Sequence, residues 1–194
     1  MSAEAVSEAV LICTIGHSNR PLEAFFALLR RNAVRHVIDV RTVPRSRHNP
    51  QYGQDVLPAS LQSDTIAYSH FPGLGGLRRP RPDSSNLGWR NLSFRGYADY
   101  MQTEAFAENV DAVAKLAATG RCALMCAEAV PWRCHRSMIA DALLVRGFRV
   151  EDIVGPGARS IHALTPFAQV SGTCIRYPAT SDPPPQATLF GSAG

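Results

Sequence analysis

The sequence predicts an α/β fold: a three-layer, Rossmann-like domain with a mainly parallel sheet and a long irregular insertion. Three observations lead there. Short apolar runs alternate with amphipathic stretches. Two of these alternations read as strand–helix–strand units, which imply parallel pairing. Between the units, from Arg45 to Arg95, regular pattern fades and proline, glycine and asparagine accumulate.

The elements follow in order. LICTI at 11–15 ends in Gly16 and reads as a buried strand followed by a turn. Pro21 then opens PLEAFFALLRRN, in which Leu22, Phe25, Phe26, Leu28 and Leu29 recur at helical spacing. Proline in the first turn marks the helix start. HVIDVRTVP is a second buried strand, closed by Pro44. IAYSHF at 66–71 predicts a third strand, amid PGLGG at 72–76 and RRPRPDSSN at 78–86. Loops this long in a compact domain are usually functional or disordered. YADYMQTEAFAENVDAVAKLAATG reads as one helical region ending at Gly120. RCALMCAE (strand), CHRSMIADALLVRG (helix) and FRVEDIVG (strand) form the second unit. Residues 1–10 are expected to be disordered and 11–170 to form the domain. Residues 171–194, rich in Ser, Pro and Gly, are expected to be a flexible tail.

Composition narrows the class. Of 194 residues, 45% are hydrophobic and 19% charged, which suits one ordinary core and excludes global disorder. No apolar run approaches the roughly 18 residues of a membrane helix. The opening MSAEAVSEAV is acidic where a secretory signal would be basic. Cys13, Cys122, Cys126, Cys134 and Cys174 show no disulfide framework. A cytoplasmic location and no membrane partner are therefore expected. The net charge is +4, and Lys115 is the sole lysine. A GC-rich genome would give the same arginine bias, but it would not decide placement. Between Arg41 and Arg95 eight arginines stand against three acids, so this stretch carries all the excess charge. There Arg78, Arg79, Arg81, Arg90 and Arg95 interleave with Trp89 and other aromatics, and they are expected to form a nucleic-acid surface. Tyr97, Tyr100 and Met101, at helical spacing, fit core packing equally well.

In open parallel sheets, ligands bind beyond the carboxyl ends of the strands. The first strand delivers His17, Ser18 and Asn19 there. The second delivers Asp39 and Arg41, then Arg45, Ser46 and Arg47. The fourth delivers Cys126 and Glu128, and the next helix begins at Cys134, His135, Arg136 and Ser137. A helix start favours an anion, and Arg41 and Arg136 are expected to clamp it, with His17, Ser18, Asn19, Arg45, Ser46, Arg47 and Ser137 around it. Alternatively Arg136 pairs with Glu128 or Asp39 in a buried bridge. Asp39, Glu128 and His135 are acid–base candidates, because paired carboxylates can divide the two roles. Capping and salt bridging would place the same acids there. Cys134 or Cys126, beside His and Arg, is a candidate thiolate nucleophile. The arrangement is similar to rhodanese and cysteine-phosphatase domains, but the loop lacks their glycines, and Arg133 and Arg136 fall too late after Cys126. Cys13 and Cys122 are assigned to the core. No cofactor is implied and no metal is expected. The spacing of Cys126, Glu128, Cys134 and His135 is not C-x₂-C, and adjacent Cys-His pairs rarely address one ion.

TIGHSN at 14–19, IDVRTVPRSR at 38–47, LGG at 74–76 and CAEAVPWRCHRSMIAD at 126–141, in that order, resemble the DUF488 family over roughly residues 11–155. The resemblance implies a compact α/β domain with a shared polar site. The family's signature falls on His17, Ser18, Asp39, Arg41, Pro44, Ser46, Glu128, Cys134, His135 and Arg136. It implies no reaction, since the family has no assigned function. The tail segment Gln186-Ala-Thr-Leu-Phe190 resembles the pentapeptide by which bacterial DNA polymerases and repair proteins dock onto the sliding clamp. Leu189 and Phe190 would be the apolar anchors and Gln186 the orienting hydrogen bonder; folding back onto the domain is the alternative. Together these features predict a bacterial DNA-processing or DNA-repair protein that holds nucleotide or DNA phosphate at the strand ends. Its reaction would be glycosylase-like or nuclease-like, with the basic loop helping to extrude a base. Two alternatives stand: a thiol-dependent sulfur- or phosphoryl-transfer enzyme, and a non-catalytic DNA-binding adaptor recruited by the clamp.

Overall fold

The computed structural model describes residues 9–157 and 159–179. Its elements are β1 (Leu11–Gly16), α1 (Leu22–Arg31), β2 (His36–Asp39), α2 (Leu57–Ser63), β3 (Ala67–His70), α3 (Leu92–Tyr100), α4 (Glu104–Ala117), β4 (Cys122–Cys126), α5 (Arg136–Leu144), β5 (Arg149–Ile153), β6 (Ser160–Ile161), β7 (Gln169–Ser171) and β8 (Cys174–Arg176). The first six strands form one sheet in the order β3-β2-β4-β1-β5-β6. All neighbours are parallel except β6, which runs antiparallel to β5. The three-layer α/β architecture is as the sequence predicts.

The inner strands read as continuous apolar runs because helices cover both faces. Ile12, Ile38, Leu124 and Val150 share a core with Phe94, Tyr97, Val110 and Ile139, from α3, α4 and α5. On the other face Cys13, Ile15, Val37 and Met125 share a core with Phe25, Leu29, Leu57 and Leu61, from α1 and α2. The strand β4 lies between β1 and β2, although it follows both in the chain. Its following helix, α5, covers one face, while α1, following β1, covers the other. The connections therefore diverge at the carboxyl ends of β1 and β4, and a crevice opens between them.

Three boundaries differ from the sequence expectation. The single helical region over 97–120 is two helices, because Thr103 caps α4 by accepting from the Phe106 N–H at 3.3 Å. The start of α3 lies upstream, where the Asn91 side chain accepts from the Ser93 and Phe94 N–H groups. The fold also continues past residue 170. Strands β7 and β8 form a hairpin, and Tyr177 is fully buried beyond it. The Tyr177 N–H donates to Asn86 Oδ1 and its hydroxyl to Asp141 Oδ2, both at 2.9 Å. A composition of Ser, Gly and Thr hid this hairpin, since its only buried anchors are Ile175 and Tyr177. Residues 1–8 and 180–194, including Gln186, Leu189 and Phe190, lie outside the described residues. Among the described residues no helix is long and apolar enough to cross a membrane.

A buried polar chain ties the far side of the sheet together. His162 donates from Nε2 to Asp141 at 3.0 Å and from Nδ1 to Asp152 at 3.3 Å. Burial alone would lower its pKa, but the bonds to the two carboxylates outweigh it and raise the pKa to about 9. An imidazolium held this way stabilises the fold fully below its unfolded pKa of roughly 6.5, and the gain is lost as pH rises through about 9. Stability measured by urea unfolding should therefore fall by on the order of 3 kcal/mol between neutral and strongly alkaline pH. His162→Gln should start lower and show a flatter profile over that window.

Candidate functional site

The crevice is built by three loops. At the end of β1, a side chain on Gly16 would put its Cβ 1.7 Å from the Glu128 carbonyl oxygen. Only glycine lets the two strand ends come this close. The His17 N–H then donates to Cys126 O at 3.0 Å and the Ser18 N–H to Ala127 O at 2.8 Å, which locks the loop after β1 onto the loop after β4.

The end of β2 supplies the first charged unit. Asp39 is fully buried and accepts from Arg41 Nε at 2.9 Å and Nη2 at 2.6 Å, from the Arg41 N–H at 3.1 Å, and from the Tyr68 hydroxyl at 2.7 Å. The Arg41 Nη2 also donates to Tyr52 O at 2.8 Å. Its Nη1 donates to His17 Nε2 at 3.1 Å, so the His17 proton sits on Nδ1, donating to Ser18 O at 2.7 Å. The His17 ring stacks on Tyr52 with centroids 4.1 Å apart. Burial first, and then the facing Arg41 charge, lower the His17 pKa to about 4. His17 is thus a neutral prop for Arg41, and Asp39 is the anchor of that arginine rather than an accessible acid.

Arg136 is placed differently from the expected clamp. It is fully buried. Its Nε donates to Thr14 Oγ1 at 3.2 Å, Nη1 to Glu128 O at 2.6 Å and Nη2 to Ala129 O at 3.1 Å. Neither the anion clamp nor the bridge to a Glu128 or Asp39 carboxylate forms; the guanidinium holds the backbone of the 127–130 loop. Ser137 is likewise turned inward, its hydroxyl donating to Cys134 O at 2.9 Å.

Over these supports lies an open cavity of about 820 Å³. Of the expected binding residues, His17, Ser18, Asn19, Arg41, Arg45 and Ser46 line it, together with Glu128, Cys126, Cys134 and His135. Arg47 lines an adjoining hollow that shares Arg45 and Ser46. Asp39, Arg136 and Ser137 do not reach the cavity. Arg133 joins the lining, and Trp132 beside it is 60% exposed. Neither stood among the expected site residues, although the turn Pro131–Arg133 sits between Glu128 and Cys134 in sequence. The Glu128 carboxylate and the guanidinium groups of Arg45 and Arg133 have no hydrogen-bond or ion-pair partner among the described residues.

The floor carries sulfur. Cys126, Cys134 and His135 are all buried, and their ligand atoms lie within 4.8 Å of one another. His135 donates from Nε2 to Val40 O at 3.1 Å, which leaves Nδ1 facing Cys134 Sγ at 3.7 Å. The Arg136 N–H reaches Cys134 Sγ at 3.5 Å. Burial would raise the Cys134 pKa, but the Cys126 thiol, the Arg136 charge and that N–H lower it to about 7. The same thiol–thiol contact, with burial, pushes Cys126 well above its usual value.

The expected nucleic-acid surface is divided: Trp89 is buried, Arg78 and Arg95 are half-buried, and Arg79, Arg81 and Arg90 are exposed. Trp89 is 7% exposed and stacks on Phe94 at 4.6 Å, so it belongs to the core. Arg78 lies over the Tyr100 ring at 3.7 Å and donates to Gly73 O and Gly75 O. Arg95 donates to Trp89 O at 3.0 Å. Arg81 pairs with Asp83 at 3.3 Å. These arginines tie down a loop that has little regular structure of its own.

Residues 21–143 match a family model described as Domain of unknown function DUF488. The chain belongs to the DUF488 family. The match is narrower than the expected 11–155; it takes in Asp39, Arg41 and the Cys126–Arg136 segment and leaves out His17 and Ser18. No curated protein and no solved structure matches the chain.

The geometry separates support from chemistry in this DUF488 chain. Asp39→Asn should cost roughly 3 kcal/mol in urea unfolding, because it leaves a buried arginine without its counter-ion. Glu128→Gln, at a carboxylate with no partner to lose, should change stability by less than about 0.5 kcal/mol.

Proposed function

We propose that this protein binds a phosphate-bearing nucleotide or nucleic acid in the crevice between β1 and β4 and hydrolyses it, with Glu128 as the acid–base residue. The observation that carries this reading is the charge of the cavity: Arg41, Arg45 and Arg133 face it against the single carboxylate of Glu128. Two of those arginines have no internal partner, and neither has the acid. An anion answers the arginines. The unpaired carboxylate is then poised to take a proton from an attacking water or give one to a leaving group. Exposed Trp132, next to Arg133, and exposed Val43 and Leu77 at the rim supply apolar surface against which a base can stack. His135 and Asp39, the other acid–base candidates, serve less directly, since each is engaged by internal hydrogen bonds.

DNA as the ligand, glycosylase-like or nuclease-like chemistry, and recruitment by a sliding clamp through Gln186, Leu189 and Phe190 rest on the sequence. They join the cavity in one reading, a bacterial DNA-processing protein. Thiol-dependent transfer has less support. Cys134, the thiol whose pKa is lowered, is fully buried in the cavity floor.

A panel of damaged and modified oligonucleotides incubated with wild type and Glu128→Gln tests the reaction. Wild type should release base or cleave strand; Glu128→Gln should lose that activity and keep binding. Activity that survives Glu128→Gln overturns the assigned role, and salt-dependent binding without turnover points to the adaptor. Arg45→Ala and Arg133→Ala should each weaken binding and reduce its salt-dependence slope by about 1. Deleting 186–190 should abolish clamp binding while leaving DNA binding intact.

A further inference from the structure

We propose that Cys126, Cys134 and His135 form a site for Zn²⁺, or a similarly thiophilic divalent ion, at the floor of the cavity, with the fourth position open towards it. The three ligand atoms lie within 4.8 Å of one another. A tetrahedral Zn²⁺ with Zn–S near 2.3 Å and Zn–N near 2.0 Å needs its ligand atoms roughly 3.5–3.8 Å apart. Cys134 Sγ and His135 Nδ1 already stand at 3.7 Å. Closing the rest of the set asks for a shift of about 1 Å at most.

The surroundings are those of a metal ligand set. The His135 Nε2–H is spent on Val40 O, which fixes the tautomer and leaves the Nδ1 lone pair for an ion, the usual outer contact of a metal-binding histidine. Gly76 packs against the face of that ring: a Cβ there would lie 2.4 Å from Nδ1 and 2.8 Å from Cγ, so glycine at this position lets the imidazole keep its place. The Arg136 N–H supports the Cys134 sulfur at 3.5 Å. Cys126 ends β4, and Cys134 and His135 directly precede α5, so rigid elements hold all three. Two thiolates and a divalent ion are together neutral, which is a tolerable charge beside buried Arg136 and Arg41. On binding, the two thiols release their protons to solvent and the imidazole binds through its lone pair. Soft sulfur with one imidazole selects zinc over magnesium or calcium. Glu128, two residues after Cys126, lines the same cavity and is the residue next to the open position rather than a ligand. The site stands on these three ligands and does not depend on the hydrolytic reading.

Reduced, metal-free full-length protein titrated with Co²⁺ and then Zn²⁺ decides it. One equivalent should bind, with thiolate-to-cobalt charge-transfer absorption that Zn²⁺ removes, and with proton release. Cys126→Ser and His135→Gln should each weaken Zn²⁺ binding by more than about 100-fold. Gly76→Ala, whose Cβ would push the imidazole aside, should weaken it as well. Glu128→Gln should bind the ion as wild type does, so a failure of the hydrolytic reading remains distinguishable from a failure of this one. Absence of stoichiometric binding to the reduced wild type overturns the proposal. So do unchanged affinity in the ligand variants and a Cys126–Cys134 disulfide that persists under reducing conditions.

Discussion

The fold turns on a buried arginine that meets no carboxylate directly. Arg136 opens α5, and its guanidinium is shared among Thr14, Glu128 O and Ala129 O. Burying such a charge alone would cost several kcal/mol. The compensation is relayed. Thr14 accepts from Arg136 and donates its own hydroxyl proton to Asp152 at 2.5 Å. Asp152 meets His162, His162 meets Asp141, and Asp141 also accepts from Thr165 and Tyr177. Two cations and two carboxylates thus alternate along one buried chain. That chain fastens β1, β5, α5 and the segment after β8 to the loop that carries Glu128. Arg136 therefore sets the shape of the cavity without entering it.

The second buried arginine, Arg41, works by the opposite arrangement. Asp39 neutralises it face to face, and neutral His17 and the Tyr52 carbonyl fix its remaining donors. This lets Arg41 sit at the cavity edge with its charge held in place. The contrast explains why the two arginines, one after a strand end and one at a helix start, divide into one lining residue and one scaffold residue. Spacing reports that a residue reaches the strand end. It does not report whether the donors there turn towards a ligand or towards backbone carbonyls.

That distinction marks how far the sequence could be read. The strands, their parallel order and the edge where the polar residues gather follow from apolar periodicity and from the proline and glycine that end each run. The sheet's core is legible for the same reason: runs such as CALMC at 122–126 have no polar face to offer water. The burial of Trp89 and the exposure of Trp132 were not legible, because both stand beside arginine in loops of similar composition. Phe94, Phe167 and Tyr177 surround the first, and two of these come from distant parts of the chain. The second sits on the short turn Pro131–Arg133, which buries its proline and leaves the tryptophan exposed. The sulfur cluster was also hidden. Adjacent Cys134 and His135 were expected to diverge, yet the extended backbone at Cys134 and the bond from His135 to Val40 bring both side chains to one point.

The arginine excess between 41 and 95 takes a different meaning from this. Most of that stretch lacks a sheet ladder to satisfy its carbonyls, and guanidinium groups do part of that work. Arg78 serves Gly73 and Gly75, Arg95 serves Trp89, and Arg41 serves Tyr52. A guanidinium suits the task because its donors fan out in a plane and stay charged at any physiological pH, where lysine offers a single point. The excess charge is thus partly a structural material for an irregular loop. Of the arginines in that stretch left exposed, Arg45, in the loop after β2, stands at the cavity mouth, where Arg133 from the loop after β4 joins it. These are the two loops that Arg41 and Arg136 brace from below, so the internal arginines position the external ones.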